Sequence, residues 1–144
     1  MDPEAHLAPS VLGLALLQTG RPTEAARWAN QALELATARG YRVFLPELFE
    51  LSGTVAISEG RWREADDFLT KGLSIARGMS MRYHEARLLF QLGVAQTQRG
   101  APEPGRATLL RALAAFERLG ARPHRERTQR ALDALKDEEV GSPN

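Results

Sequence analysis

Cysteine is absent from the 144 residues. That removes disulfide scaffolds, zinc–thiolate sites and thiol nucleophiles together, and it fits a reducing compartment. Charge of either sign is not in excess. The net charge of +1 is too small to draw a nucleic acid or an acidic membrane through bulk electrostatics. Long apolar runs are lacking too. The longest, Val11 to Leu17, is far short of the ~20 residues that a membrane span needs. The start, Met1-Asp2-Pro3-Glu4, has no basic region of the kind that opens a secretory signal. A cytoplasmic protein of one domain, 1–144, is therefore expected. With 43% hydrophobic and 26% charged residues, the chain is able to bury a core.

What is present is a period. Gly20, Gly60 and Gly100 stand 40 residues apart, as do Gly13, Gly53 and Gly93. Other columns follow at the same spacing: Ala25, Ala65 and Gly105; Ala32, Gly72 and Ala112; Leu33, Leu73 and Leu113; Ala15, Val55 and Ala95. Each column keeps to one size class, as stacked copies of one unit require.

Within a unit the spacing is helical. Leu88, Leu89, Leu92 and Ala95 share one helix face, and Ala65, Phe68, Leu69, Gly72, Leu73 and Ala76 share another. No stretch of alternating β-branched residues competes. The glycines at 20, 60 and 100 fall just past apolar-periodic runs, where a left-handed residue ends a helix. Pro22 and Pro102 suit the first position of the next helix, which has no use for its N–H. The predicted helices span roughly 5–19, 22–38, 43–58, 61–77, 82–98, 102–118 and 123–137. They group as repeats over about 5–40, 43–80 and 82–120, a capping helix over 123–137 and a frayed tail over 138–144.

These columns resemble the tetratricopeptide repeat family, over roughly residues 7–120. The motif positions are the early small residue, the turn glycine and the two small residues of each second helix. Trp62 supplies the family's aromatic after the turn glycine; Pro22 and Pro102 replace it in the other units. The usual repeat of the family is ~34 residues and closes with a proline. Here Thr37, Arg77 and Glu117 stand in that place. The longer repeat is similar to the forty-residue variety in the helical sensor regions of large ATP-dependent bacterial transcriptional activators. The segment Ala114-Ala115-Phe116-Glu117-Arg118-Leu119-Gly120-Ala121-Arg122-Pro123 is similar to how such regions end.

The resemblance implies an all-α, right-handed superhelical solenoid of three helix-turn-helix repeats plus a C-terminal capping helix. It implies a binding role, with first helices lining a concave wall. The implied groove columns are Ser10, Glu50 and Phe90; Leu14, Thr54 and Val94; Leu17, Ile57 and Thr97; and Gln18, Ser58 and Gln98. This mixture suits a peptide or protein segment held by apolar anchors and set in register by polar groups. The matching columns hold no Lys and no Asn, so a clamp for a C-terminal carboxylate is not implied.

Other constellations point elsewhere. His6, His84 and His124 are not at metal-ligand spacing, so no metal or cofactor is expected. Glu64, Asp66 and Asp67 read as a solvated face near a helix N-terminus. No phosphate-binding glycine loop and no catalytic set can be assembled, so an enzyme is not expected. Arg118, Arg122, His124, Arg125, Arg127 and Arg130 form a basic run that could grip nucleic acid. It has no aromatics for base stacking and is followed at once by Asp133, Asp137, Glu138 and Glu139, so a water-facing cap helix is the preferred reading. Trp28 and Phe68 share a column suited to contacts between units, or to a dimer interface if exposed. The apolar residues Val11, Leu12, Leu16 and Leu17 on an end helix leave open self-association as a homodimer or larger assembly.

Overall fold

The computed structural model describes residues 18–141. The predicted first helix, 5–19, therefore lies almost wholly outside the described residues. Gln18, its one described helical residue, precedes the first turn. After it come six helices, and among the described residues there is no strand. They are α1 (Pro22–Arg39), α2 (Leu45–Ser58), α3 (Trp62–Gly78), α4 (Arg82–Gln98), α5 (Pro102–Leu119) and α6 (Arg122–Gly141). A 3₁₀ turn, Arg42–Phe44, leads into α2.

The periodicity of the glycines becomes backbone geometry. Positive φ recurs every twentieth residue, at Gly20, Gly40, Gly60, Ser80, Gly100 and Gly120. At five of the six a hydrogen-bond pair ends the preceding helix. The residue after the left-handed position donates to a carbonyl five back, as Arg61 to Ala56 (2.9 Å), Met81 to Ala76 (2.8 Å) and Ala101 to Gln96 (2.9 Å). The left-handed residue itself donates three back, as Gly60 to Ile57 (3.0 Å) and Gly120 to Glu117 (3.1 Å). These bonds satisfy carbonyls that a helix end otherwise leaves open. Ser80 is the non-glycine member of the series, with φ of 54°. Pro22 and Pro102 open α1 and α5, where the spacing placed them.

Helices consecutive in the chain pack together, and α2 also packs against α4. The tightest seams join α2 to α3 and α4 to α5. A Cβ on Gly53 would come within 2.5 Å of Leu69 Cδ2, and one on Gly93 within 2.7 Å of Leu109 Cγ. Both leucines are buried. The glycines thus let a leucine from the neighbouring helix seat directly on the backbone. Small residues at Ala25, Ala65 and Gly105, and at Ala32, Gly72 and Ala112, are buried in the same way.

The described residues contain two complete helix pairs, α2/α3 and α4/α5, flanked by α1 and α6. That differs from the expected three pairs; the helix predicted over 5–19 lies almost wholly outside the described residues. The last helix also runs on to Gly141, past its expected end at 137. It keeps the register of a first helix rather than that of an unrelated lid. Leu48, Leu88 and Thr128 form a column at the 40-residue spacing, and all three are buried. Thr128 satisfies its hydroxyl by donating to the His124 carbonyl at 2.7 Å. Leu132 and Leu135, turned inward as expected, join Phe116 in the main core.

Candidate functional site

Two faces of the helical array carry chemistry. The first is the wall made by α2, α4 and α6. Of the residues expected there, Ser10 and Leu14, with Leu17, lie outside the described residues. Gln18, Ser58 and Gln98 are exposed, whereas Thr54 and Val94 are half-buried. Thr54 turns its hydroxyl back to the Glu50 carbonyl at 2.8 Å, and Ser58 does the same to Val55 at 2.6 Å. Thr97 likewise donates to the Gly93 carbonyl at 2.9 Å, and Ile57 is core.

Glu50 and Phe90, each only 7% exposed, are brought together but nearly closed to water. Their cover comes from the neighbouring first helices. The Arg87 guanidinium holds the Glu50 carboxylate at 3.1 Å, from α4 to α2. The Arg127 guanidinium lies over the Phe90 ring at 4.7 Å, from α6 to α4. Tyr83 continues the ladder, with its hydroxyl 3.0 Å from His124 Nε2 and its ring 5.5 Å under Arg87. His124 also stacks on Phe116, with centroids 5.1 Å apart. Over the Glu50–Phe90 column the side chains that reach solvent are therefore Tyr83, Arg87, Gln91 and Arg127, beside the exposed Gln18, Ser58 and Gln98. Glu50, Arg87, Phe90, Gln91, His124 and Arg127 surround a small hollow of about 60 Å³.

The wall also shifts its titratable groups. Burial pushes the Glu50 carboxyl up from its ordinary value, and Arg87 pulls against that without cancelling it. Burial lowers His84 and His124, and Arg87 lowers both further; Arg127 adds to the effect on His124. Each histidine is thereby biased to the neutral form.

The second face lies on the opposite side of α4. There α3, α4 and α5 enclose an open cleft of about 500 Å³. Leu89, Ala114, Ala115 and Leu119 give it an apolar floor, and Arg77, Arg82, Arg111 and Arg118 supply its charge. Glu85 is the one carboxylate in the lining, and it is held by Arg77 at 3.0 Å. At 3.6 residues per turn, Arg82, Glu85 and Leu89 leave α4 on the side away from Arg87, Phe90 and Gln91.

The reading of the sequence had picked out Arg118, but as part of a basic run. The structure breaks that run up. Arg122 pairs with Glu126 at 3.0 Å, Arg125 with Glu117 at 3.3 Å, and Arg127 covers Phe90. Arg118 turns instead to the cleft. The sequence does not link Arg77, noted only in place of a closing proline, with Arg82 and Arg111, because the three sit on three different helices. A faint signal existed in two basic columns, Arg42, Arg82 and Arg122, and Lys71 with Arg111.

The remaining constellations are accounted for by neighbours. Arg61 pairs with Glu64 and Arg99 with Asp66. Phe68 packs half-buried near Phe49, with centroids 6.4 Å apart, while Trp28 is exposed. Among the described residues, no group of His, Asp or Glu side chains could hold a metal ion, and no helix is long and apolar enough to cross a membrane. No protein-family model matches the chain, and no curated protein sequence is significantly similar to it.

Proposed function

We propose that this chain is a tetratricopeptide-like helical solenoid that works by holding a partner protein or peptide segment, and not by catalysis. The observation that carries the reading is the direct packing of α2 on α4, with α6 in the same register beyond them. It supports a continuous wall of first helices, presenting Tyr83, Arg87, Gln91 and Arg127 between the exposed ends Ser58 and Gln98. Glu50 and Phe90 act from beneath: each fixes a guanidinium that would otherwise be free to rotate. Such pre-set arginines and an exposed tyrosine are the residue types that dominate protein interfaces. In this reading the solenoid serves as a regulatory or scaffolding element of a cytoplasmic signalling protein.

The test is an affinity capture followed by titration. Arg87→Ala and Arg127→Ala together should weaken the captured partner's binding at least about a hundredfold, the loss of one charge-assisted contact of about 1.5–3 kcal/mol per arginine. Unchanged affinity in that variant would remove the wall as the docking surface. Light scattering at two concentrations separates partner docking from self-association, since a chain that stays monomeric excludes the latter.

A further inference from the structure

We infer that the cleft between α3, α4 and α5 is a second binding site, specific for a small organic anion that bears two or more phosphate or carboxylate groups. The site is separate from the wall and does not depend on it.

Four guanidinium groups and one carboxylate line the cleft, in a chain whose net charge is only +1. Positive charge is therefore concentrated here and offset elsewhere. Arg77 is already held by Glu85, which leaves Arg82, Arg111 and Arg118 without an ion pair among the described residues. Eight of the thirteen other described arginines have an acid or an aromatic face as partner. Three like charges around one hollow repel one another, and an anion relieves that repulsion. Guanidinium groups meet phosphate and carboxylate in a planar, two-pronged geometry, so each arginine can take one anionic group.

The size and floor narrow the ligand. A volume of about 500 Å³ is that of a small-molecule site, several times what a lone phosphate fills. Leu89, Ala114, Ala115 and Leu119 offer apolar contact to the body that carries the charges.

The repeat provides an internal control. Forty residues earlier, the corresponding junction has Thr37 for Arg77, Lys71 for Arg111 and Gly78 for Arg118. Its floor holds Phe49 for Leu89 and Ile75 for Ala115. The earlier junction keeps a cation at two of the four positions, Arg42 for Arg82 and Lys71 for Arg111, so the full set of four guanidinium groups and the open floor are particular to one copy. The packing of the repeat demands neither, since the other copy keeps the same glycine seam without them.

The experiment is calorimetric titration of the full chain with pyrophosphate, ATP and citrate, with sodium sulfate at matched ionic strength as the reference. At least one of the three should bind saturably at one site, with sulfate giving none. The response to ATP and pyrophosphate against that to citrate separates a phosphate from a carboxylate ligand. Arg111→Ser with Arg118→Ser should weaken binding at least tenfold, whereas Arg27→Ser with Arg42→Ser, which removes equal charge elsewhere, should change it less than twofold. Ala115→Ile, which installs the side chain of the earlier junction, should weaken the bulkier ATP or citrate by a similar factor with every arginine kept. All three variants alter exposed or half-buried positions, and an unchanged helical spectrum verifies their fold. Equal binding by the cleft variant and the parent overturns the assignment. So does a response that sulfate reproduces, or a tighter hold on polyglutamate or RNA that the same cleft variant loses.

Discussion

The two junctions between neighbouring second helices share a backbone plan and differ in what they do with it. Between α1 and α3 the floor positions hold the larger residues Phe49 and Ile75, and the positions matching the four cleft arginines are Thr37, Arg42, Lys71 and Gly78. Between α3 and α5 the floor shrinks to Leu89 and Ala115, and three of the facing positions become arginine. The glycine–leucine seams below are the same in both. A repeat therefore separates two tasks. Its small-residue columns maintain the stack, and positions outside those columns are free to become a site.

The largest departure between copies is at the end of the second helix. Ala36 and Ala76 give way there to Phe116, the largest fully buried side chain. Phe116→Ala restores the residue of the earlier copies but not their surroundings, since His124 is stacked on the ring. The expected loss is about 3–5 kcal/mol in urea unfolding. A loss below about 1 kcal/mol would mean that α6 closes over the gap as α4 closes over Ala76.

The seams should respond alike. Gly53→Ala and Gly93→Ala each press a methyl into a leucine, at an expected cost of about 1–3 kcal/mol, partly offset by the better helix propensity of alanine. Unequal costs would break the equivalence of the two units.

On the wall, Arg87→Ala leaves the Glu50 carboxylate buried without its partner, at a cost of about 1–3 kcal/mol near neutral pH. The sign of the pH dependence follows from the shifts. Glu50 is raised above 4.5 in the folded chain, so the stability it permits is present in acid and lost as pH rises through its folded value. Losing Arg87 enlarges that rise. His84 and His124 are lowered below 6.5, in part by Arg87, so acidification through 6.5 costs stability in the parent and less in the variant. Both effects narrow the gap between variant and parent as pH falls from 7 to 4, and thermal melts across that range should read it. A gap that widens in acid would refute the assignment of Arg87 as the charge partner.

Smaller effects come from the lip and lining of the cleft. Ser80 holds a left-handed conformation that glycine occupies elsewhere in the series, and Ser80→Gly should stabilise the chain by about 1 kcal/mol. Arg111→Ala should change stability by no more than about 0.5 kcal/mol, because no ion pair among the described residues depends on it. A large loss there would make the cleft arginines structural.

The helices were legible in the sequence because turn glycines and small-residue columns report directly on backbone and close packing. The helix starts at Pro22, Arg82 and Pro102 fell where the spacing put them. The 3₁₀ entry to α2 was not visible, since Pro46 sits one residue inside the helix and gives no clue to the turn before it. The wall was half legible. The column of Glu50 and Phe90 was found, but its closure by Arg87 and Arg127 depends on side chains reaching between helices 37 residues apart in sequence. The cleft was hidden for the same reason, magnified: its arginines are distributed over α3, α4 and α5, and no local pattern links them.

The even spacing of the left-handed turns has a consequence for how such a chain can change length. Gly60 and Gly100 are followed by residues of similar dihedral angles, Arg61 at φ −87°, ψ 73° and Ala101 at φ −114°, ψ 72°. Splicing the residue after one turn onto the glycine of the other would seat Leu109 over Gly53 in place of Leu69. The chain thus contains its own cut-and-join points, and duplication or loss of a whole unit can keep a leucine seated on each seam glycine.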